Sequence, residues 1–325
     1  MRFVLTRATV RGMTTPSPVR RIVSLLPSGT ELVCALGLRE RLVGISHECD
    51  FPADVVGLPV LTSSILGHGL SPAEIDAAVS RASLDGRPLY AVDGELLARL
   101  EPDLIVTQGV CAVCAVTPDT IGASLELLPV DLAVDAPVLS LSGASWAGIR
   151  HDIRTLAAAA GVEDTADALL ADLDRRWGAL AASPHGERPR LAMLEWPDPP
   201  WFGGHWVPEQ VAVAGGHDLF GTPGLPSGRM TVDEVVAADP DIIVGIACGF
   251  GVEENLTHLQ ALVSRPELAT LRAVKEGRVW AANANGLFSR PGPRVVAGAE
   301  LLAQLVRGET PSPDDAVLVP IGAQR

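Results

Sequence analysis

One pattern occurs twice in this chain, and it limits the folds open to it. Residues 101–111 read Glu-Pro-Asp-Leu-Ile-Val-Thr-Gln-Gly-Val-Cys, and residues 239–248 read Asp-Pro-Asp-Ile-Ile-Val-Gly-Ile-Ala-Cys. Both are acidic-Pro-Asp, three branched apolar residues, a short loop and then a cysteine. A short apolar run bounded by turn formers is the mark of a strand buried on both faces, as in a parallel sheet. Two such strands in two halves of the chain predict two α/β lobes whose equivalent loops meet at one cleft. Open parallel sheets bind ligands outside the carboxyl ends of their strands. Cys111, Cys114 and Cys248 are therefore expected to face that cleft rather than a core.

The length suits this arrangement, because 325 residues exceed the usual single domain. Residues 1–19 are expected to be a flexible N-terminus, 20–145 an α/β lobe, 146–187 a connecting helical segment, 188–307 a second lobe and 308–325 a tail. In the first lobe, strands are expected at Arg21–Leu26, Leu42–Ser46, Leu89–Val92, 103–106 and Pro137–Leu141. Ser28 followed by Glu31 reads as a capping box opening a helix that runs through Leu38. The same helix start offers amides to an anionic ligand, which makes Ser28 a candidate contact. Ser71 with Pro72 starts another helix. Glu163–Ala182 has apolar residues at helical spacing, from Ala166 through Leu173 to Leu180, and would span about 30 Å. It is suited to bridge two lobes.

The second lobe opens with a strand at Arg190–Leu194, followed by Glu-Trp-Pro-Asp-Pro-Pro-Trp-Phe-Gly-Gly-His-Trp at 195–206. Three of the six tryptophans fall there, among prolines and glycines that leave no regular element to bury them together. The expectation is an aromatic wall for a large planar or apolar ligand, built from Trp196, Trp201, Phe202 and Trp206 with His205 beside it. Helices at Pro208–Ala214 and Val295–Val306 and a strand at Arg278–Ala281 complete the lobe, with Val232–Ala238 preceding the repeated strand at 241–246. Asn283–Arg294 reads as a polar loop whose Arg290 and Arg294 either neutralise a ligand or pair with surface acids.

Charge excludes one class of partner. The net charge is -14 and the single lysine is Lys275, so there is no basic stripe to follow a phosphate backbone, and no nucleic acid is expected. No run approaches the roughly 18 apolar residues of a membrane span. The first 21 residues carry arginines at 2, 7, 11, 20 and 21 and no apolar segment of roughly 7 to 15 residues. The protein is thus expected to be cytoplasmic, starting at Met1 or Met13. Five cysteines in a reducing compartment are better read as thiols or metal ligands than as disulfides.

With Arg21-Ile-Val-Ser-Leu-Leu-Pro-Ser-Gly-Thr-Glu31 and both acidic-Pro-Asp strands in view, the chain resembles the cobalamin and ferric-siderophore substrate-binding proteins of ABC importers, from about residue 20 to 307. The resemblance implies two Rossmann-like α/β lobes joined by one long helix. It also implies a ligand between the lobes against aromatic side chains, for which Trp196, Trp201 and Trp206 are candidates by position. The absence of an export signal sets contact with an importer's permease in question and suggests a cytoplasmic branch with an altered cleft.

Two readings of different class follow. One is a binding protein for a corrinoid such as cobalamin, or a related metal chelate, in the cleft. The other is a site of Cys49, Cys111, Cys114 and Cys248 holding an iron–sulfur cluster of the 4Fe-4S type, or zinc. In the second, His47, Glu48 or Glu195 could move protons in a redox or catalytic role. Binding rather than catalysis is the main expectation. Cys34, inside the first helix, reads as a small core residue.

Overall fold

The computed structural model describes residues 18–66, 69–109, 116, 118–126, 134–183 and 186–321. In the N-terminal half, β1 (Ile22–Ser24) is the second strand of a parallel sheet with β2 (Leu42–Gly44), and both lie ahead of a separate pair, β3 (Thr62–Ser64) and β4 (Tyr90–Val92). The sheet continues through β5 (Leu104–Gln108) to β6 (Val138–Leu141), in the order β2-β1-β5-β6. Ile22 lies beside Leu104 and Ser24 beside Val106, so the first copy of the repeat is one of the two inner strands of this sheet. Its Asp103 carboxylate accepts the amides of Arg20 at 2.8 Å and Arg21 at 2.9 Å, fixing where β1 begins.

Helix α1 (Pro27–Ala35) follows β1 directly. A Cβ at Gly29 would lie 2.7 Å from Leu26 Cδ2 and 3.0 Å from Val106 Cγ1, so glycine allows this helix to sit hard against β5. The expected capping box does not form. Leu26 is the cap residue and makes no side-chain cap bond, Ser28 is buried inside the first turn, and the helix stops at Ala35 rather than Leu38. The reason is that Glu31 is taken by partners from the other half of the chain, as described below.

Helix α2 (Pro72–Leu84) is carried between the antiparallel strands β3 and β4, outside the parallel sheet. Here, at the helix start expected from Ser71 and Pro72, a capping box does form, with Glu74 N donating to Ser71 Oγ and Ser71 N donating to Glu74 Oε2. Helices α3 (Gly94–Arg99) and α4 (Pro118–Glu126) complete this half.

The connection is a pair of helices, α5 (Trp146–Ala160) and α6 (Glu163–Ala181). Gly161, at φ +70°, ends α5 in a left-handed conformation open to glycine at little cost. Trp146 stacks on Trp177 with ring centroids 5.0 Å apart, and Arg150 bridges Asp174 at 2.8 Å.

The C-terminal half holds the larger sheet. Strand β7 (Arg190–Pro197) turns back as β8 (Pro200–Phe202), after which come α7 (Val207–Val213), β9 (His217–Asp218), β10 (Gly228–Arg229) and α8 (Val232–Ala238). The second copy of the repeat is β11 (Ile242–Gly245), parallel to β7 with Ile242 beside Leu191. Asp241 repeats the role of Asp103, accepting the Arg190 amide at 2.8 Å. Helices α9 (Val252–Val263) and α10 (Arg272–Lys275), strand β12 (Val279–Ala282), and helices α11 (Ala284–Leu287) and α12 (Val295–Arg307) follow. Beyond them β13 (Ala316–Leu318) pairs antiparallel with β12, so the segment expected to be an uncommitted tail closes the sheet edge.

One apolar cluster runs through both halves. It links Ile22 and Leu36 of the first, Ile153 and Leu173 of the connecting helices, and Leu191 and Leu302 of the second. Burial at roughly 25 cal/mol per Å² makes such a shared core the main term holding the lobes together.

Candidate functional site

The segments that follow β2 and β12 meet across the lobes, where Arg290 bonds Asp50 and the Glu48 carbonyl. The C-terminal lobe also carries the hairpin of β7 and β8. Trp196 and Trp201 were expected in an irregular loop, but they are register partners on opposite strands, with Pro197 beside Pro200. Cross-strand aromatic pairs stiffen such hairpins and present two rings together. Trp196 is half-buried, and its ring centroid is 5.3 Å from that of Phe250, in the loop after β11. Phe250 in turn stacks on His258 at 5.1 Å. Trp201 lies under the Arg229 guanidinium, 5.3 Å from ring centroid to Cζ, and its indole nitrogen is buried with no protein acceptor.

The other aromatic candidates do different work. Trp206 is 5% exposed and its Nε1 donates to the Phe288 carbonyl at 2.8 Å, so it is a core side chain and not part of a ligand wall. Phe202 leans on Phe220, centroids 6.4 Å apart, and packs against the core of the second lobe. His205 stands at φ +54°, with its amide donating to the Leu225 carbonyl at 2.6 Å. Burial pushes its pKa below the ordinary histidine range, which keeps the imidazole neutral.

Arg290 is 8% exposed and its charge is matched within the protein. Its Nη1 is 3.0 Å from Glu31 Oε1 and 2.5 Å from Asp50 Oδ1, and its Nη2 donates to the Glu48 carbonyl at 3.2 Å. Arg294 grips the same Glu31, with Nε 2.8 Å from Oε2 and Nη2 bonded to Oε1, while its guanidinium lies 4.1 Å from the centre of the Phe51 ring. The common partner of these arginines is a buried carboxylate of the opposite lobe, and Arg290 also pairs with the exposed Asp50, as one of the two sequence readings expected. The segment carrying them, expected as a polar loop, is interrupted by α11. A cavity of about 240 Å³ beside the cluster, lined by Cys34, Phe51 and Pro293 among others, is smaller than the roughly 300–1,000 Å³ of typical ligand sites.

In the run His47-Glu48-Cys49-Asp50, His47 and Glu48 lie together, with Nε2 4.0 Å from Oε1 and both against Tyr90, whereas Cys49 and Asp50 turn to other partners. His47 Nδ1 is 2.6 Å from Thr62 Oγ1, and Glu48 accepts from the Tyr90 hydroxyl at 3.4 Å. Cys49 Sγ lies 3.1 Å from Thr30 Oγ1 and Asp50 holds Arg290. Burial raises the Cys49 pKa, which opposes the thiolate a metal needs. Cys34 is likewise pushed up to about 11, mainly by burial. Cys248 is exposed at the end of β11. Cys111 and Cys114 lie outside the described residues, as does His68. Among the described residues, no group of three or more His, Cys, Asp or Glu side chains is placed to hold a metal ion. No helix among them is long and apolar enough to cross a membrane.

Two cross-lobe contacts were not anticipated. Trp196 Nε1 donates to the Pro72 carbonyl of α2 at 3.1 Å. Arg229 Nη2 reaches Asp76 Oδ2 at 2.7 Å and Ser80 Oγ at 2.9 Å on the same helix. No sequence signal pairs residues 153 positions apart, although Asp76 and Ser80 do lie one turn apart on one helical face.

Comparison with known proteins agrees with this architecture. The model of a family described as periplasmic binding protein matches residues 22–285. The vitamin B12-binding protein of Vibrio cholerae is 24% identical over 288 residues, covering 88% of each chain. An ABC transporter substrate-binding lipoprotein of Bacillus subtilis is 24% identical over 302 residues, covering 90% of this chain and 81% of its own. Among solved structures, the periplasmic heme-binding protein RhuT from Roseiflexus sp. RS-1 superimposes with a TM-score of 0.64 at 21% identity, covering 89% of this chain and 98% of that one. These findings overturn the expected cytoplasmic location, because the matched family is described as periplasmic and a relative is an ABC transporter substrate-binding lipoprotein.

Proposed function

The chain belongs to the periplasmic binding protein family, and from that premise we propose that it binds a corrinoid in the cleft between its lobes and delivers it to an ABC importer. At the coarser level it is a substrate-binding protein of the kind that serves importers of vitamin B12, heme and siderophore complexes. The choice of a corrinoid rests on one observation above the rest: the cross-strand pair Trp196 and Trp201 at the cleft end of β7 and β8. A corrin ring offers a wide, mostly apolar face, and stacked indoles supply large contact area with little loss of side-chain freedom. The relatives at vitamin B12-binding level support the same ligand class.

In binding, Trp196 and Trp201 would form the aromatic floor, with Phe250 extending it. The Glu31, Arg290 and Arg294 cluster sets the spacing of the lobes rather than touching ligand. The reservation about a permease rested on the cytoplasmic expectation and falls with it, so delivery to a permease is part of this proposal.

Isothermal titration of the full chain with cyanocobalamin, cobinamide and hemin tests it. Saturable one-to-one binding of both corrinoids, tighter than hemin, is the expected result. Hemin bound in preference to both corrinoids, or no binding of either corrinoid, would sink the assignment.

A further inference from the structure

We propose that helix α2 is a latch closed over the mouth of the cleft, and that the Arg229 contact with Asp76 and Ser80 governs how fast ligand enters and leaves. The inference rests on the placement of ligand against Trp196 and Trp201 given above.

The lobes themselves are poorly suited to swing apart. They share an apolar cluster through α5 and α6, and the buried Glu31 is gripped by Arg290 and Arg294 from the other lobe. Separating them would expose that core and strand buried charges in one step. Helix α2 is anchored quite differently. Of its 13 residues only Pro72 and Ala82 are buried, and it hangs on the two-stranded ribbon of β3 and β4, which forms a sheet of its own. A small antiparallel pair is weak by itself.

What holds the helix in place is polar and reaches across the cleft. Arg229 bonds Asp76 and Ser80, and Trp196 bonds the Pro72 carbonyl at the first turn. The Arg229 side chain is 52% exposed and that of Asp76 15%, so the ion pair is open to water on its arginine side. Its guanidinium also covers the Trp201 ring. The closed helix thus engages the Trp196 nitrogen directly, and through its bonds to Arg229 it tethers the guanidinium that lies over the Trp201 ring. Releasing α2 frees the Trp196 nitrogen and leaves the Arg229 side chain untethered to move off Trp201, and segments of low local stability are where such gates are found.

Hydrogen exchange on the ligand-free full chain tests the latch without reference to any ligand. In Asp76→Asn and in Arg229→Gln, amides of residues 73–84 should exchange at least tenfold faster than in the unaltered protein, while those of α6 keep their rates. The charge-reversed double variant Asp76→Arg with Arg229→Asp should restore protection. Stopped-flow mixing with cyanocobalamin should then show association and dissociation both accelerated at least threefold in Asp76→Asn. Unchanged exchange of 73–84 in both single variants, with α6 intact, would overturn the latch. Accelerated exchange in a protein that binds no corrinoid would uphold the latch and overturn the ligand assignment alone.

Discussion

Arg290 Nη1, from the C-terminal lobe, lies 3.0 Å from Glu31 Oε1 of the N-terminal lobe, and both side chains are almost fully buried. Arg294 completes the cluster on the same carboxylate. Removing Glu31 would leave two arginine charges without their common partner, a change that typically costs about 3–5 kcal/mol. Glu31→Gln should therefore lower the urea midpoint strongly. Asp50→Asn should matter far less, because Asp50 is 59% exposed and its charge is largely screened. Equal effects of the two substitutions in denaturant titrations would contradict the assigned roles.

Trp206 and Trp196 should fail in opposite ways. Trp206 is a core residue whose indole nitrogen holds the Phe288 carbonyl, so Trp206→Ala should destabilise the fold by about 3–5 kcal/mol. Trp196→Ala should leave thermal stability nearly intact and act on ligand binding. Calorimetric melting of both variants separates these outcomes, and a severe loss of stability in Trp196→Ala would count against its role at the cleft.

His205 gives a pH dependence of known sign. Its pKa is lowered by burial in the folded protein, so the unfolded chain takes up a proton first as pH falls. The stability tied to neutral His205 is present above the ordinary histidine pKa of about 6.5 and is lost as pH falls through the lower folded value. Asparagine tolerates the left-handed backbone at this position. His205→Asn should thus show a shallower fall of melting temperature than the parent between about pH 6.5 and 5. Parallel curves would remove His205 as the cause.

The thiols should differ sharply in reactivity. Cys248 is exposed, whereas Cys49 is buried against Thr30 with a raised pKa and Cys34 is pushed up to about 11. Thiolate is the reactive species, so iodoacetamide at pH 8 should label Cys248 quickly and leave Cys34 and Cys49 unlabelled until denaturant is added. Mass spectrometry of labelled peptides reads this directly, and rapid native labelling of Cys49 would contradict its burial.

The strands that carry the fold were legible because their pattern is local. Leu104–Val106 and Ile242–Val244 show their burial in sequence, and Asp103 and Asp241 proved to be the residues that start the neighbouring strands. The hairpin was not legible: Pro197, Pro199 and Pro200 mask a three-residue strand whose partner fixes its shape. Glu31 looked like a local cap because its true partners are 259 and 263 residues away. Trp206 looked like its neighbours in a row of aromatics, and only the approach of Phe288 made it a core residue.

Tryptophan-fluorescence titration with cyanocobalamin, run on the full chain and on Trp196→Ala and Trp201→Ala, tests the account most directly. Loss of a stacked indole should weaken binding about tenfold in each variant, which corresponds to about 1.4 kcal/mol. Identical dissociation constants for all three proteins, or no saturable quenching in the unaltered one, would contradict a corrinoid held against these two side chains.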